Sequence, residues 1–366
     1  MNDKIVVAMS GGVDSGVSAL ILKEQGYNLV GISMQVWDYR QNGGCSTKAT
    51  CCSPDDFTDA RVVADKIGIP YYVFDFEKTF RAKVIDDFVN KYKQGLTPNP
   101  CVECNNKVKF KELRERAKTF DCAVVATGHY AQIEKSDSGY HLLRGVDDKK
   151  DQSYFLYGLL QEELANTLFP VGAMTKPEVR EIAKKYGLSI ASKPESQDIC
   201  FVSGNVSDFI TKIGGKGKDG NIINPEGKVL GTHSGIQSYT VGQRRGLGIS
   251  SEKPQYVIEI DENNNNIIIG SQEQLEREGF CVRELNWINP KILNAVKDKS
   301  FPYTFEAIAQ IRYRHSGVKV EVKILDENFV QARFLESWSP VSPGQAAVFY
   351  DLENREVFGG GKITKN

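Results

Sequence analysis

Apolar and polar positions follow two different patterns along this chain, and the change falls near residue 205. Before it, short apolar runs at 5–9, 29–35, 71–76 and 123–127 alternate with segments of helical periodicity that begin at about residue 15 and cover 56–67 and 79–92. Strands that alternate with helices form parallel sheets covered on both faces. The first part is therefore predicted to be a doubly wound α/β domain.

After residue 205 the pattern becomes short alternating runs separated by Gly, Asn and Pro turns. The clearest run places Val318, Val320 and Val322 on one face and Lys319 and Lys323 on the other. Short strands at regular spacing are typical of small barrels and sandwiches. We therefore predict three domains: an α/β domain (1–205), a central β-rich linking domain (206–280) and a small C-terminal β-barrel (281–366).

Composition agrees with a soluble globular protein. The chain has 366 residues, 40% of them hydrophobic and 25% charged, with a net charge of −1. No apolar run reaches membrane-spanning length and the chain enters a strand almost at once, so we expect a cytoplasmic protein with no signal peptide and no membrane partner. The net charge does not indicate nucleic-acid binding, although local clusters of Lys and Arg can still bind a polyanion.

The strongest local motif is SGGVDS at residues 10–15, between a predicted strand and a predicted helix. Two glycines allow backbone N–H groups to approach an anion, two serines add hydroxyl donors, and the helix adds the positive end of its dipole. Neither the Walker-type loop nor the dinucleotide fingerprint matches. A tight turn without a ligand is the alternative. The motif resembles the PP-loop of ATP pyrophosphatases, which implies cleavage of ATP to AMP and adenylation of a substrate oxygen.

Eight cysteines without a secretion signal argue against a disulfide framework. Cys122 and Cys281 lie in strand-like segments and are predicted to pack in the interior. Cys104 comes just before a helix predicted from about Asn105, where a helix N-terminus lowers the pKa of a thiol. Cys200 lies where the α/β pattern ends. Local sequence alone allows either thiol to be inert.

Eight segments, spread in order over nearly the whole chain, resemble the bacterial tRNA-specific 2-thiouridylases, the MnmA family of the PP-loop superfamily. They are SGGVDS at 10–15, TPNP at 97–100, Cys104-Asn105 with Lys109-Phe110, ATGHY at 126–130, KDQSYFL at 150–156, ICF at 199–201, GQRRGLG at 242–248 and PGQAAVFY at 343–350.

The resemblance implies a sulfurtransferase that uses ATP and Mg²⁺ to convert the wobble uridine of tRNA to 2-thiouridine. In the family's persulfide scheme, the residue matching Cys200 carries the sulfur and the residue matching Cys104 releases it by forming a disulfide. A sulfur-relay protein or a cysteine desulfurase is the implied sulfur donor. The implied ATP-binding residues are Ala8, Met9, Ser10, Gly11, Gly12, Val13, Asp14, Ser15, Met34 and Gly128.

The same resemblance assigns the target base to Asn99, Pro100 and Cys101. It assigns tRNA contacts to His129, Lys150, Asp151, Gln152, Arg312, Tyr313 and Gln345. Lys and Arg suit phosphate, and Tyr can stack on an unpaired base. Several of these residues also have structural interpretations: Asp14 could cap its helix rather than place Mg²⁺, His129 could be a satisfied histidine, and Arg312 could lie on the solvated face of a strand.

One departure from the family leaves the sulfur chemistry open. Many members have Asp where this chain has Cys101, which creates Cys-x-x-Cys with Cys104. With Cys200, these thiolates could hold three irons of a [4Fe–4S] cluster. A zinc site that draws on Cys45, Cys51 or Cys52 is a further alternative. Rival functions are an amide-forming PP-loop ligase and a non-catalytic tRNA-binding protein.

Overall fold

The computed structural model describes residues 4–37, 54–195, 199–202, 204–336 and 340–365. The thiols of Cys45, Cys51 and Cys52 lie outside the described residues. The strands are β1 Lys4–Ala8, β2 Asn28–Gln35, β3 Tyr71–Asp75, β4 Val124–Ala126, β5 Ala131–Ser136, β6 Gly139–Arg144, β7 Thr167–Leu168, β8 Gly220–Ile223, β9 Val229–His233, β10 Tyr256–Asp261, β11 Asn266–Gly270, β12 Gly279–Trp287, β13 Tyr303–Gln310, β14 Val318–Asp326, β15 Phe329–Phe334, β16 Ala346–Tyr350 and β17 Glu356–Ile363.

The α-helices are α1 Val13–Glu24, α2 Pro54–Ile67, α3 Glu77–Phe80, α4 Asp86–Lys93, α5 Pro100–Cys104, α6 Phe110–Lys118, α7 Gln161–Leu164, α8 Lys176–Lys185, α9 Val206–Gly214 and α10 Pro290–Lys297. π-Helical turns Arg81–Ile85 and Asn105–Lys109 join α3 to α4 and α5 to α6. No helix in the described part of the chain is long and apolar enough to span a membrane.

The predicted parallel sheet is confirmed, with the strand order β3-β2-β1-β4-β7 and every neighbouring pair parallel. Helices cover both faces. Ile5 and Val7 of β1 pack in a cluster with residues of α1, α2 and α8, whereas Val6 packs in a cluster with Leu113 of α6. Because both faces are buried, β1 is continuously apolar rather than alternating.

The chain after residue 205 forms two further sheets. Strands β8 to β11 make a four-stranded sheet in the order β10-β11-β8-β9. Strands β12 to β17 make a closed ring in the order β12-β15-β14-β13-β16-β17, because β12 also pairs with β17. Val320 and Val322 of β14 are fully buried in the ring, as the alternation predicted. The barrel is thereby confirmed.

One hairpin crosses the predicted division of the chain. Strands β5 and β6 lie within residues 1–205, yet β6 pairs with β17 through Leu143↔Glu356 and Leu142↔Val357, which extends the barrel sheet. The sequence analysis did not identify this pairing. The domain boundaries stay a prediction, and the sheets show that the first and last parts of the chain share hydrogen-bonded structure.

Candidate active site

A cavity of about 1130 Å³ opens at the carboxyl edge of the parallel sheet. Ala8 and Met34 line it near the ends of β1 and β2, and Gly128 lines it after β4. Open α/β sheets bind ligands at this edge, outside the carboxyl ends of the strands. The barrel closes the opposite wall with Gln310 and Tyr313. The site is therefore built from residues that are far apart in sequence.

Residues 10–15 form the expected strand–turn–helix loop at the floor of the cavity. The Ser15 hydroxyl accepts the Ser10 N–H at 3.1 Å and donates to the Gly12 carbonyl at 3.0 Å. Helix α1 begins at Val13, two residues earlier than predicted. These bonds give the loop a fixed shape beside the helix N-terminus, where backbone N–H groups and the helix dipole favour an anion such as pyrophosphate.

Two glycines are required by close backbone approaches. Gly11 has φ of +72°, and a Cβ there would lie 2.2 Å from the Asp56 carbonyl oxygen. A Cβ at Gly128 would lie 2.7 Å from the Ser15 nitrogen and 2.8 Å from the Asp14 carbonyl carbon. Glycine at position 128 thus allows the chain after β4 to pack directly against residues 10–15, which we call the phosphate loop.

Asp14 does not cap its helix. Gly12 is the N-cap residue of α1 and no side chain caps the helix, so the N-cap interpretation is wrong. The Asp14 carboxylate instead accepts hydrogen bonds from the Lys176 ammonium at 2.8 Å and from the Tyr130 hydroxyl at 2.7 Å. These two donors hold the carboxylate in place in the wall of the cavity. The placement of Mg²⁺ by Asp14 stays a prediction.

Lys176 also connects the loop at residues 10–15 to Glu195 and Lys150 elsewhere in the cavity wall. Its side chain is 8% exposed and lies 3.0 Å from Glu195, which also pairs with Lys150 at 2.5 Å. Burial raises the pKa of Glu195, but the hydrogen bonds from Lys150 and Lys176 lower it by more, so the pKa lies below its ordinary value. The described residues thus include a continuous chain of opposite charges from Asp14 to Lys150.

A second lysine supports the phosphate loop from behind. The Lys193 ammonium donates to the Gly11 carbonyl at 3.0 Å and to Asp56 at 2.6 Å. Lys193 therefore helps to hold the positive-φ turn that the loop requires.

The helix start that the sequence analysis placed after Cys104 lies before Cys101. Asn99 is the N-cap of α5, and its side chain accepts the backbone N–H groups of Cys101 and Val102. Pro100 occupies the first helical position, which it favours because its φ is preset and its missing N–H would be unpaired. Cys101 is thus in the first turn, and Cys104 is the last residue of α5. The prediction that Cys104 lies at a helix N-terminus is wrong.

Cys104 and Cys200 nevertheless belong to one hydrophobic cluster and both line the cavity. Cys104 is 7% exposed, while Cys200 and Cys101 are half-buried. Phe201 anchors the Cys200 segment by packing edge-on against Phe88, with ring centroids 5.4 Å apart. The structure therefore places two thiols that are 96 positions apart in one hydrophobic cluster and on the walls of one cavity.

The thiols of the described residues are not arranged as a metal site. Within the part of the chain that the structure describes, no three His, Cys, Asp or Glu side chains are arranged to hold a metal ion. A [4Fe–4S] cluster on Cys101, Cys104 and Cys200 needs three thiolates converging on one centre. The described arrangement does not fit that group, and no step is derived through it.

His129 forms part of an aromatic wall. Its ring lies 5.9 Å from that of Phe110 and 6.0 Å from that of Phe169, and its Nδ1 lies 2.7 Å from the Thr127 hydroxyl oxygen. Burial, reinforced by the charge of Lys109, lowers the pKa of His129 to about 3. Its imidazole is therefore neutral at physiological pH and cannot contact a phosphate as a cation.

The residues predicted at 150–152 divide into two roles. Asp151 is 6% exposed, and its carboxylate accepts hydrogen bonds from the Arg144 guanidinium at 2.6 Å and from the Ser153 N–H at 3.1 Å. Gln152 accepts the Tyr130 N–H at 3.0 Å. Asp151 therefore shapes the loop, and the cation that faces the cavity from this segment is Lys150.

Of the residues predicted in the barrel, some line the cavity and others do not. Tyr313 lines the cavity, and its ring packs at a tilt against that of Phe155 with the centroids 4.3 Å apart, while Arg312 is exposed and lies outside the lining. Gln345 also lies outside it, and its amide donates to the Thr97 carbonyl at 2.7 Å. The exposed residue Arg314 does line the cavity.

Most of the predicted site residues thus face one cavity. Beyond Arg312 and Gln345, the predicted residues that do not line it are Gly11, which supports the loop, and Asn99, which caps α5. Sequence reasoning missed Lys176, Tyr130, Glu195 and Lys193. Lys176 had a usable signal, because a lysine in the first turn of a helix opposes the helix dipole and requires acidic partners.

Three family models cover the chain in order. They are described as the tRNA methyl transferase HUP domain (residues 3–204), the tRNA methyl transferase PRC-barrel domain (207–271) and the aminomethyltransferase beta-barrel domain (277–363). Among solved structures, a 4-thiouridine synthetase–RNA complex with bound ATP is similar over 54% of this chain and 45% of that one, at 15% identity and a TM-score of 0.32, too remote to support an argument.

Similar curated proteins cover almost the whole chain. The tRNA-specific 2-thiouridylase MnmA of Geobacter metallireducens is 50% identical over 98% of this chain and 96% of its own length. Proteins of the same name from Geotalea uraniireducens and Rickettsia canadensis are 48% and 46% identical, over 98% and 99% of this chain and 94% and 96% of their own lengths. With the phosphate loop and both Cys104 and Cys200 in one cavity, these matches show that the chain belongs to the tRNA-specific 2-thiouridylase (MnmA) family.

Proposed function

We propose that this protein is a cytoplasmic tRNA-uridine 2-sulfurtransferase that replaces the C2 oxygen of the anticodon wobble uridine with sulfur. The observation that carries the proposal is the presence of the phosphate loop and of Cys104 and Cys200 on the walls of one cavity. An amide-forming ligase needs the loop but has no use for a thiol pair. A non-catalytic RNA-binding protein needs neither.

The first chemical step is adenylation. The C2 oxygen of uridine attacks the α-phosphorus of Mg–ATP, and the bond to the β-phosphate oxygen breaks to release pyrophosphate. The N–H groups of the loop and the N-terminus of α1 accommodate that leaving group. Lys176 and Lys193, held by carboxylates on either side of the loop, keep the local field favourable for an anion.

Sulfur transfer follows in the same cavity. The terminal sulfur of a Cys200 persulfide attacks C2, and AMP leaves with the former C2 oxygen. The Cys104 thiolate then attacks Sγ of Cys200, which breaks the bond to the transferred sulfur and leaves it on the base as a thiocarbonyl. The resulting Cys104–Cys200 disulfide must be reduced by an external thiol, and a sulfur-relay protein or cysteine desulfurase must reload Cys200.

The test is a reaction of the purified chain with unmodified tRNA, Mg–ATP, cysteine, a cysteine desulfurase and dithiothreitol. We expect 2-thiouridine by mass spectrometry of the digested tRNA, with AMP and pyrophosphate as nucleotide products. ADP as the main product would contradict adenylation.

Three cysteine variants test the assignment of the thiols. Cys104→Ser and Cys200→Ser should each abolish 2-thiouridine formation, because each removes one sulfur of the exchanging pair. Cys101→Ser should retain substantial activity, since Cys101 is not part of that pair. Cys281→Ser, in barrel strand β12, is the matched control and should be fully active. Loss of activity in Cys101→Ser that tracks the iron content of anaerobically purified protein would favour the cluster mechanism.

A further inference from the structure

A buried ion cluster joins the cysteine-bearing helix to the last strand of the barrel. Glu103, between Cys101 and Cys104, is 4% exposed. Its carboxylate pairs with Lys362 of β17 at 2.8 Å, with Lys107 at 2.6 Å and with Lys91 at 3.7 Å. Burial raises the pKa of Glu103, but the charge of Lys362 and the hydrogen bond from Lys107 lower it by more. The pKa therefore lies below its ordinary value and the carboxyl is ionised.

The start of the same segment is attached to the barrel separately. The Thr97 N–H donates to the Pro343 carbonyl at 2.8 Å, and the Gln345 amide donates to the Thr97 carbonyl at 2.7 Å. A Cβ at Gly344 would lie 2.9 Å from the Thr97 nitrogen, so the two backbones are in direct contact. Residues 97–104 are thus fixed to the barrel at both ends.

The ion cluster contributes orientation more than stability. Bringing charges out of water is costly, and an apolar pair of similar volume would often hold two surfaces together equally well. An ion pair with directional hydrogen bonds, however, fixes one register between its partners. Because Glu103 lies in the same helix as Cys101 and Cys104 and is the direct neighbour of Cys104, a displacement of Glu103 moves both cysteines with it.

We propose that Lys362 is a positioning residue for sulfur transfer: through Glu103 it holds Cys104 at the geometry needed to attack the Cys200 sulfur. This inference rests on the proposed function. It assigns to the barrel, beyond any contact with RNA, a direct part in aligning the thiol pair. Lys362 does not line the cavity and touches no reacting atom, so it acts through α5.

The experiment measures 2-thiouridine formed per pyrophosphate released, because pyrophosphate counts adenylation and 2-thiouridine counts completed transfer. When transfer is slow, water attacks C2 of the adenylated base, AMP leaves and uridine is regenerated. We expect Lys362→Met to lower the ratio about tenfold, since a displacement of one ångström can cost about 10²-fold in a positioned reaction. Pyrophosphate release should stay within about twofold of the wild-type rate.

Two variants separate positioning from general stability. Lys362→Arg keeps the cation and should recover at least half of the wild-type ratio. Lys319→Met is the matched control, because Lys319 of β14 forms an ion pair with Glu306 within the barrel at 2.9 Å that does not involve α5. It should leave the ratio unchanged. If Lys362→Met does not fold, Glu103→Gln, which keeps the side-chain shape and removes the charge, should lower the ratio in the same way.

An unchanged ratio in folded Lys362→Met or Glu103→Gln would overturn the inference. So would an equal loss of pyrophosphate and 2-thiouridine, which indicates a stability effect alone. Failure of the proposed function is distinguishable, because the wild-type protein itself would then form no 2-thiouridine.

Discussion

Replacing Gly128 by alanine tests the contact between the end of β4 and the phosphate loop. The added Cβ would lie 2.7 Å from the Ser15 nitrogen and 2.8 Å from the Asp14 carbonyl carbon. Ordinary contacts of this kind begin near about 3.4 Å, so the backbone must move by roughly 0.7 Å. Overpacking of this size typically costs about 1–3 kcal/mol.

This cost can be divided between folding and ATP binding. If the loop keeps its shape, the strain lowers the free energy of unfolding. If the loop moves, its N–H groups no longer meet the phosphates and ATP affinity falls, by about tenfold for every 1.4 kcal/mol. Calorimetric titration with Mg–ATP and chemical unfolding of the ligand-free protein together measure both parts, and their sum should reach at least about 1 kcal/mol.

The matched control is Gly231→Ala in β9, where the nearest atom to a new Cβ is 3.6 Å away and the backbone is not in the left-handed region. It should change neither quantity appreciably, and tRNA affinity should be nearly unaffected in both variants. If Gly128→Ala alters neither ATP affinity nor unfolding, the close approach is not a constraint and the geometric reasoning is refuted.

Three further predictions concern charges around the cavity. Lys176→Met should abolish pyrophosphate release in a folded protein, because it leaves Asp14 and Glu195 without their shared cation beside the bound phosphates. Lys184→Met, at the exposed end of α8, is the control and should release pyrophosphate at the wild-type rate. Wild-type release by Lys176→Met would contradict the role of Lys176 at the phosphates. Arg312→Ala should weaken tRNA binding and reduce the salt slope by about one, with ATP affinity unchanged, whereas a constant dissociation constant across salt would place Arg312 outside the interface. His129 has a folded-state pKa of about 3, below its unfolded value, so the unfolded state binds the extra proton and stability falls as pH drops below about 6.5. This loss should reach about 1 kcal/mol near pH 5.5 by urea unfolding and disappear in His129→Gln, and an equal loss in that variant would assign the effect to another group.

Local signals predicted the parts of the structure that depend on local physics. Strand β1 is buried on both faces and is therefore continuously apolar, whereas β14 is buried on one face and alternates. The first pattern predicted the parallel sheet and the second predicted the barrel. The loop at 10–15 was identified because the glycines, the serines and the helix that together form an anion site follow one another in the sequence. The start of α5 was also encoded locally, by the N-cap Asn99 and by Pro100 at the first helical position, but the sequence analysis did not use these signals and predicted the helix from about Asn105.

The features that escaped prediction depend on contacts between distant segments. The pairing of β6 with β17 brings Leu143 opposite Glu356, and nothing in either strand specifies its partner. Likewise, Glu103 is an ordinary helical glutamate until Lys362 is placed beside it. The register of the barrel against α5 is a property of the assembled fold, and it is the property on which the alignment of the thiols depends.

The distribution of charge around the cavity also distinguishes the two parts of an RNA substrate. The exposed cations Lys149 and Arg314 line it, and so do the uncharged His129 ring and the ring of Tyr313. Phosphates carry charge and are best contacted by exposed cations, whereas a uridine base is uncharged and can be read by stacking and neutral hydrogen bonds in a pocket. In the proposed reaction, a flipped base therefore contacts His129 and Tyr313 in the cavity that also holds Cys104 and Cys200, and its backbone phosphates contact Lys149 and Arg314.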